Sequence, residues 1–217
     1  GAGESKATIK EKNDKLEISF TGNTYSSYDW FYKVRDYYST TLDKNTLLPT
    51  TCLRNVNEGN YTLYDKVDFD QEKRIVTSLR GKKKEEATKR AYNVDNCMHD
   101  LVSMIYYFRN IDFKKNGKGK EYPMKIFVDR KIWNVKLKYE GTENVTIKGK
   151  GKFKALKLST QMTEGELFDE DSYVTFWVSN DKNKVPLLVN LGLSIGSVKV
   201  ILKDYKNLRH PMSSKIK

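Results

Sequence analysis

The chain has 217 residues, 38% hydrophobic and 31% charged, which is enough for one sizeable core in a strand-rich domain. Lys and Arg outnumber Asp and Glu by 40 − 28 = 12, yet the densest run, Lys82-Lys83-Lys84, is followed at once by Glu85-Glu86. With no recognised binding motif beside that charge, nucleic acid is not an expected partner. Association with an anionic membrane surface stays open, and no stretch reaches the ~18 apolar residues of a spanning helix.

Fourteen Tyr, nine Phe and three Trp favour strands over helices. Residues 1–14 are polar and lack periodicity, and read as a flexible leader. Strand signals follow: Leu16, Ile18 and Phe20 alternate with polar neighbours, and Trp30, Tyr32 and Val34 alternate with Phe31, Lys33 and Arg35. Leu47-Leu48-Pro49 opens a strand that runs to Val56. Asn57-Glu58-Gly59-Asn60 then turns the chain into Tyr61 to Phe69, and Asp70-Gln71-Glu72-Lys73 turns it into Arg74 to Leu79.

The period changes once. Met98, Leu101, Val102 and Ile105 fall at i, i+3, i+4 and i+7, the apolar stripe of a helix over Asp95–Arg109. Asp95 is its expected N-cap, and Arg109 suits its negative end. After the flexible Asn116-Gly117-Lys118-Gly119, period two returns through Met124–Val128, Trp133–Tyr139, Val145–Ile147, Phe153–Leu158, Val174–Val178, Val185–Leu191 and Val198–Leu202. Hairpin turns are expected at Asp129-Arg130 and at Glu140-Gly141-Thr142-Glu143. The predicted fold is mainly β, an antiparallel curved sheet or barrel of about a dozen strands with one α-helix packed on it. A single β-rich domain is expected over 15–205, followed by a C-terminal tail over 206–217.

Gly192-Leu193-Ser194-Ile195-Gly196 has the spacing of a nucleophile elbow, with Asp204 and His210 following. That elbow needs a strand-to-helix turn, and both flanks here are strand-like. Only two histidines occur, His99 and His210, and no metal-binding spacing joins them. His99 reads as a solvated or hydrogen-bonded residue on the polar flank of the helix. The acidic run Glu164, Glu166, Asp169, Glu170 and Asp171 lacks the order of a calcium loop and reads as solvated. Gly149-Lys150-Gly151-Lys152 lacks the phosphate-loop spacing. Asn60-Tyr61-Thr62 and Asn144-Val145-Thr146 match a glycosylation sequon that matters only in a eukaryotic secreted protein. Cys52 and Cys97 are too far apart for a redox or zinc motif, and read equally as a disulfide or as two buried thiols. No catalytic residue, metal or cofactor is expected. Tyr106, Tyr107, Arg109 and Trp177, aromatics interleaved with a cation near the helix and a late strand, are the candidate ligand-binding residues.

Several of these segments, in this order, resemble the bacterial domain of unknown function family 3108. Asp43-Lys44-Asn45-Thr46-Leu47-Leu48-Pro49 is similar to its "D-x-x-T-L-x-P" element, and Val67-Asp68-Phe69-Asp70 to its "F-D" strand. Asp100, Ser103, Tyr106 or Tyr107, and Arg109 are similar to its "D-x-x-S-x-x-Y-x-x-R" helix. Gly151-Lys152-Phe153-Lys154-Ala155-Leu156-Lys157 resembles "G-x-F-x-A-x-K", and Trp177-Val178-Ser179-Asn180-Asp181 through Pro186 resembles "W-V-S-x-D-x-x-x-x-P". The resemblance implies export to the periplasm or outer membrane of a Gram-negative bacterium, a β-rich fold and no established activity. The expected function is non-enzymatic binding or assembly, with an apolar ligand, an envelope glycan or an envelope protein as partner. The alternative is a periplasmic hydrolase using Ser194 or a carboxylate pair.

Overall fold

A computed structural model describes residues 1–163, 173–192 and 197–216. Among the described residues there are fourteen β-strands in two antiparallel sheets, one α-helix and a short 3-10 turn. The chain forms two compact units, Gly1–Tyr107 with Lys125–Ile132 and Phe108–Met124 with Trp133–Lys217.

The first unit is a meander of β1 (Gly3–Lys12), β2 (Lys15–Thr24), β3 (Arg35–Asp43), β4 (Pro49–Glu58), β5 (Tyr61–Asp70), β6 (Ile75–Gly81) and β7 (Thr88–Asn93), in sequential order. The predicted leader over 1–14 is instead β1, in register with β2 from Gly3↔Thr24 to Lys12↔Lys15. It looks structureless in sequence because an edge strand exposed on both faces needs polar side chains, and its stability comes from the backbone ladder. Leu16, Ile18 and Leu42 are buried on one face of this sheet with Val102, and Phe20, Tyr38 and Tyr106 pack around them. Cys52, Val67, Phe69 and Val76 form a second cluster with Met98 and Phe127. Each such side chain contributes about 1.5–3 kcal/mol of burial.

The helix α1 is shorter than its stripe predicts, Leu101–Phe108 rather than Asp95–Arg109. Its cap is Asp100, whose Oδ1 accepts hydrogen bonds from the amides of Val102 (2.8 Å) and Ser103 (3.1 Å). The Ser103 Oγ reciprocates by accepting from the Asp100 amide at 2.8 Å. Asp95, the expected cap, pairs with Lys125 instead. A positive φ of 58° at Cys97 separates Asp95 from the helix. His99 is buried at 3% exposure rather than solvated, because the extended segment before α1 bridges Ile126 in parallel.

The second sheet takes the order β13 (Ser197–Ile201), β12 (Pro186–Gly192), β11 (Tyr173–Ser179), β10 (Gly151–Thr163), β9 (Lys131–Ile147), β8 (Glu121–Val128). Neither sheet closes on itself among the described residues. Ile147, Phe153, Ala155 and Leu187 form the core of the second unit, with Trp177 and Met212 against it. The predicted turn at Glu140–Glu143 is a bulge inside the long β9. Gly141 faces Lys157 while Tyr139 faces Leu158, so Glu140 is the extra residue and Gly141 adopts φ 119°. The predicted tail over 206–217 is docked. Lys215–Ile216 forms β14 on β10, Ser214 is 4% exposed, and the Asn183 side-chain amide donates to the carbonyls of His210 and Pro211.

Candidate functional site

In an antiparallel meander every second connection falls at the same end of the sheet. One end of the first sheet therefore gathers the amino terminus, the β2–β3 loop over 25–34, the Gly59-Asn60 turn and the β6–β7 turn over 82–87. Two hydrogen bonds tie these together: the Tyr25 amide donates to Ala2 O (3.0 Å) and the Gly59 amide to Lys33 O (2.8 Å). The sequence predicts strand at Trp30–Val34, but the segment is a loop, and its rings face solvent. Trp30 is 84% exposed and Phe31 78%, and Tyr25, Tyr28 and Tyr32 are exposed beside them. The Trp30 and Phe31 rings meet edge to face, 6.0 Å apart at 68°.

This loop is braced from below. Arg35 grips Asp29 through both guanidinium nitrogens (2.6 and 3.1 Å), and the Thr24 hydroxyl donates to Asp29 at 2.6 Å while accepting from the Val34 amide at 3.0 Å. The hydrogen bond from Arg35, then that from Thr24, holds the Asp29 carboxyl below the usual carboxylate range. Tyr32 lies over Gly59, where an added Cβ would come within 3.1 Å of the ring and where φ is 57°. Next to it, burial, then the neighbouring Asp36 carboxyl, pushes Glu58 up to about 7.

The same unit holds a second group of charges, where the tip of the β8–β9 hairpin meets the sheet. Arg54, Asp65 and Arg80 stand directly opposite one another on β4, β5 and β6. Asp129 at the tip accepts from Arg54 Nη2 (2.6 Å) and from Arg80, while Asp65 accepts from Arg54 (2.9 Å), Arg80 (3.2 Å) and Ser78 (3.0 Å). Burial opposes ionisation of Asp129, but the two arginines outweigh it and hold its carboxyl low. Asp129 and Arg130 both have positive φ (53° and 62°), the geometry of a two-residue hairpin turn. Arg130 closes the group by donating to Ser78 Oγ (3.2 Å) and Thr88 O (2.5 Å).

A pocket beside this group is lined by Tyr38, Arg54, Asp65, Asp100 and Phe127, among others, with a volume of about 10 Å³. That is room for one water. Asp100 is buried, accepts a hydrogen bond from Thr40 Oγ1 at 2.8 Å, and is pushed up by burial. His99 Nδ1 lies 3.2 Å from Ser103 Oγ, but Ser103 is 0% exposed and occupied in capping, so no substrate reaches it. Both carboxylates of the arginine group are committed to guanidinium. Among the described residues no three His, Cys, Asp or Glu side chains lie together as a metal site.

The family model described as "Protein of unknown function (DUF3108)" matches residues 1–203. The chain belongs to the DUF3108 family. No curated protein matches it. Among solved structures it is similar to the "Beta-barrel-like Protein of Domain of Unknown Function DUF1849" from Brucella abortus, at 9% identity and a TM-score of 0.63, over 93% of this chain and 86% of that one. At that identity the likeness concerns the fold.

In this DUF3108 chain the four sequence-predicted binding residues fall in different units. Tyr106 packs against the Leu16–Ile18–Leu42 cluster, and Tyr107 sits 5.2 Å from the His99 ring. In the second unit Arg109 donates to Asn183 O at 2.6 and 3.1 Å. Trp177 covers the core there, donating to Glu143 with Lys157 Nζ 5.4 Å from its ring. Cys52 is buried and Cys97 exposed, both unpaired, which matches neither reading of the cysteines. Ser194 and the acidic run at 164–171 lie outside the described residues. The aromatic loop escaped the sequence reading, although five rings within eight residues, Tyr25 to Tyr32, was the available signal.

Proposed function

We propose that this DUF3108 protein is a non-enzymatic, exported protein of the bacterial cell envelope that binds through one rim of its first sheet. The carrying observation is the β2–β3 loop, where Trp30 and Phe31 stand 84% and 78% exposed on a braced support. Large rings left in water at this density mark an interaction surface, since scattered exposure is normal and clustering is not. The Asp29–Arg35–Thr24 brace removes much of the ordering cost that a floppy loop would meet on binding. Surface binding is favoured over enclosure of an apolar ligand because the pocket beside the arginine group has room only for a water. Export to the envelope rests on the family resemblance of the sequence.

Two measurements test this reading. Fractionation of the source bacterium should find the protein with the envelope, and a cytoplasmic location would end the export part. Purified wild type should co-sediment with isolated envelope fragments, and Trp30→Ser/Phe31→Ser should not. Equal sedimentation of the two would end the binding part.

A further inference from the structure

The rim that carries the aromatic loop also carries the densest cationic run of the chain. Lys82, Lys83 and Lys84 are exposed in the β6–β7 turn, at the same end of the same sheet as Trp30 and Phe31. Four strand spacings separate the two turns, about 19 Å across the sheet at ~4.8 Å per strand. Lys33 is exposed within the aromatic loop itself, and Lys89 and Arg90 are exposed on the adjoining edge strand β7.

Acids at the rim are Glu4 near the amino terminus, Glu85 and Glu86 beside the lysines, Asp29, which Arg35 neutralises, and the Asp36–Glu58 pair. Glu58 is pushed up to about 7, so at neutral pH it adds less negative charge than a free carboxylate. The chain as a whole carries +12. Apolar rings and cations on one rim are the two signals by which a peripheral protein holds a bilayer. The rings enter the headgroup layer, and the cations meet anionic lipid.

The geometry points to an anionic phospholipid surface as the partner of this rim, with Trp30 and Phe31 entering the interface and Lys82–Lys84 against the headgroups. This rests on the rim-binding reading above. A glycan fits less well. The tip presents two exposed rings crossed at 68°, rather than a coplanar platform.

Vesicles of phosphatidylglycerol and phosphatidylcholine, and vesicles of phosphatidylcholine alone, test it by co-sedimentation and tryptophan emission. Trp133 is buried at 5% exposure and Trp177 is half-buried, so Trp30 dominates any environmental change. Wild type is expected to sediment with the anionic vesicles, with a blue shift that is lost in Trp30→Phe, and to release as salt rises. Each lysine near such a surface is worth about fivefold in partitioning, so Lys82→Gln/Lys83→Gln/Lys84→Gln should weaken binding at least about tenfold. Trp30→Ser/Phe31→Ser should weaken it similarly, with an unchanged melting curve showing that the fold is kept. The inference is overturned if anionic vesicles hold the protein no better than neutral ones, or if neither variant weakens the binding. Loop-dependent binding to envelope fragments without vesicle binding would overturn the lipid partner and leave the rim reading standing. Fragment binding that ignores the loop would remove both.

Discussion

Cys52 and Cys97 differ in burial, and their chemistry should differ accordingly. Burial pushes the Cys52 thiol well above its ordinary value, so it carries almost no thiolate at neutral pH, whereas Cys97 is open to solvent. A thiol-specific chromogenic reagent should therefore titrate one equivalent in the native protein and two after denaturation, and Cys97→Ser should abolish the native equivalent. Two titrating groups respond to pH in opposite senses. Burial lowers His99 to about 4 from 6.5. Its contribution is complete above pH 6.5 and is lost as pH falls through 4, roughly 3 kcal/mol in all. Glu58, raised to about 7, works the other way. Its contribution is complete below 4.5 and is lost as pH rises through 7. Urea unfolding across pH 4–8 should show His99→Asn flattening the acid limb. Glu58→Gln, whose amide can still donate to Asp36, should gain stability over wild type at pH 8 but not at pH 4. Identical profiles for both variants and wild type would refute the assignment.

At the scale of elements, the arginine group shows what holds the β8–β9 tip to the first sheet. Arg54, Asp65, Arg80 and Asp129 form an alternating charge set in which Asp65 is 1% exposed and the Arg54 side chain 12%. Removing Arg54 leaves the Asp65 and Asp129 carboxylates sharing the single guanidinium of Arg80, with Asp65 buried, so Arg54→Ala should cost about 3–5 kcal/mol. Lys66→Ala, whose ion pair with Asp68 is solvent-exposed, should cost under about 1 kcal/mol. Comparable losses in the denaturation midpoints of the two would contradict the account. Part of this group was legible in the sequence. The Gly59-Asn60 turn pairs residues equidistant from it, which puts Arg54 opposite Asp65. Asp129 was not legible, because it lies 75 positions from Arg54 and only tertiary packing joins them. The helix was legible in kind but not in extent. Met98 and Val102 belong to one apolar stripe in sequence yet to separate core clusters, because the chain before Asp100 is extended and bridges Ile126.

For the molecule as a whole, periodicity revealed the strands whose alternate side chains are buried and missed those that lack a buried face. β5, with Leu63, Asp65, Val67 and Phe69 inward, announces itself, whereas β1 has no buried residue and leaves only the lysine-rich polarity of an edge. The loop at Trp30–Val34 fails in the reverse direction. Its rings carry strand propensity, but the contacts that set them outward are the Asp29–Arg35 and Thr24 bonds, which composition does not display. Both segments that read as loose ends are therefore structural, and truncation should show it. Removing residues 1–14 strips the backbone partner of β2 along ten registered positions and exposes its ladder beside Leu16 and Ile18. A bare central-type strand with apolar neighbours is a template for intermolecular pairing. The truncated protein should elute as oligomers or precipitate in size-exclusion runs that give the full chain as a discrete species. Removing 206–217 should instead lower the unfolding midpoint, by uncovering the Phe153–Leu187 core at Met212 and orphaning the Asn183 amide. If both truncations ran and melted like the full chain, the two ends would be the loose segments their composition implies.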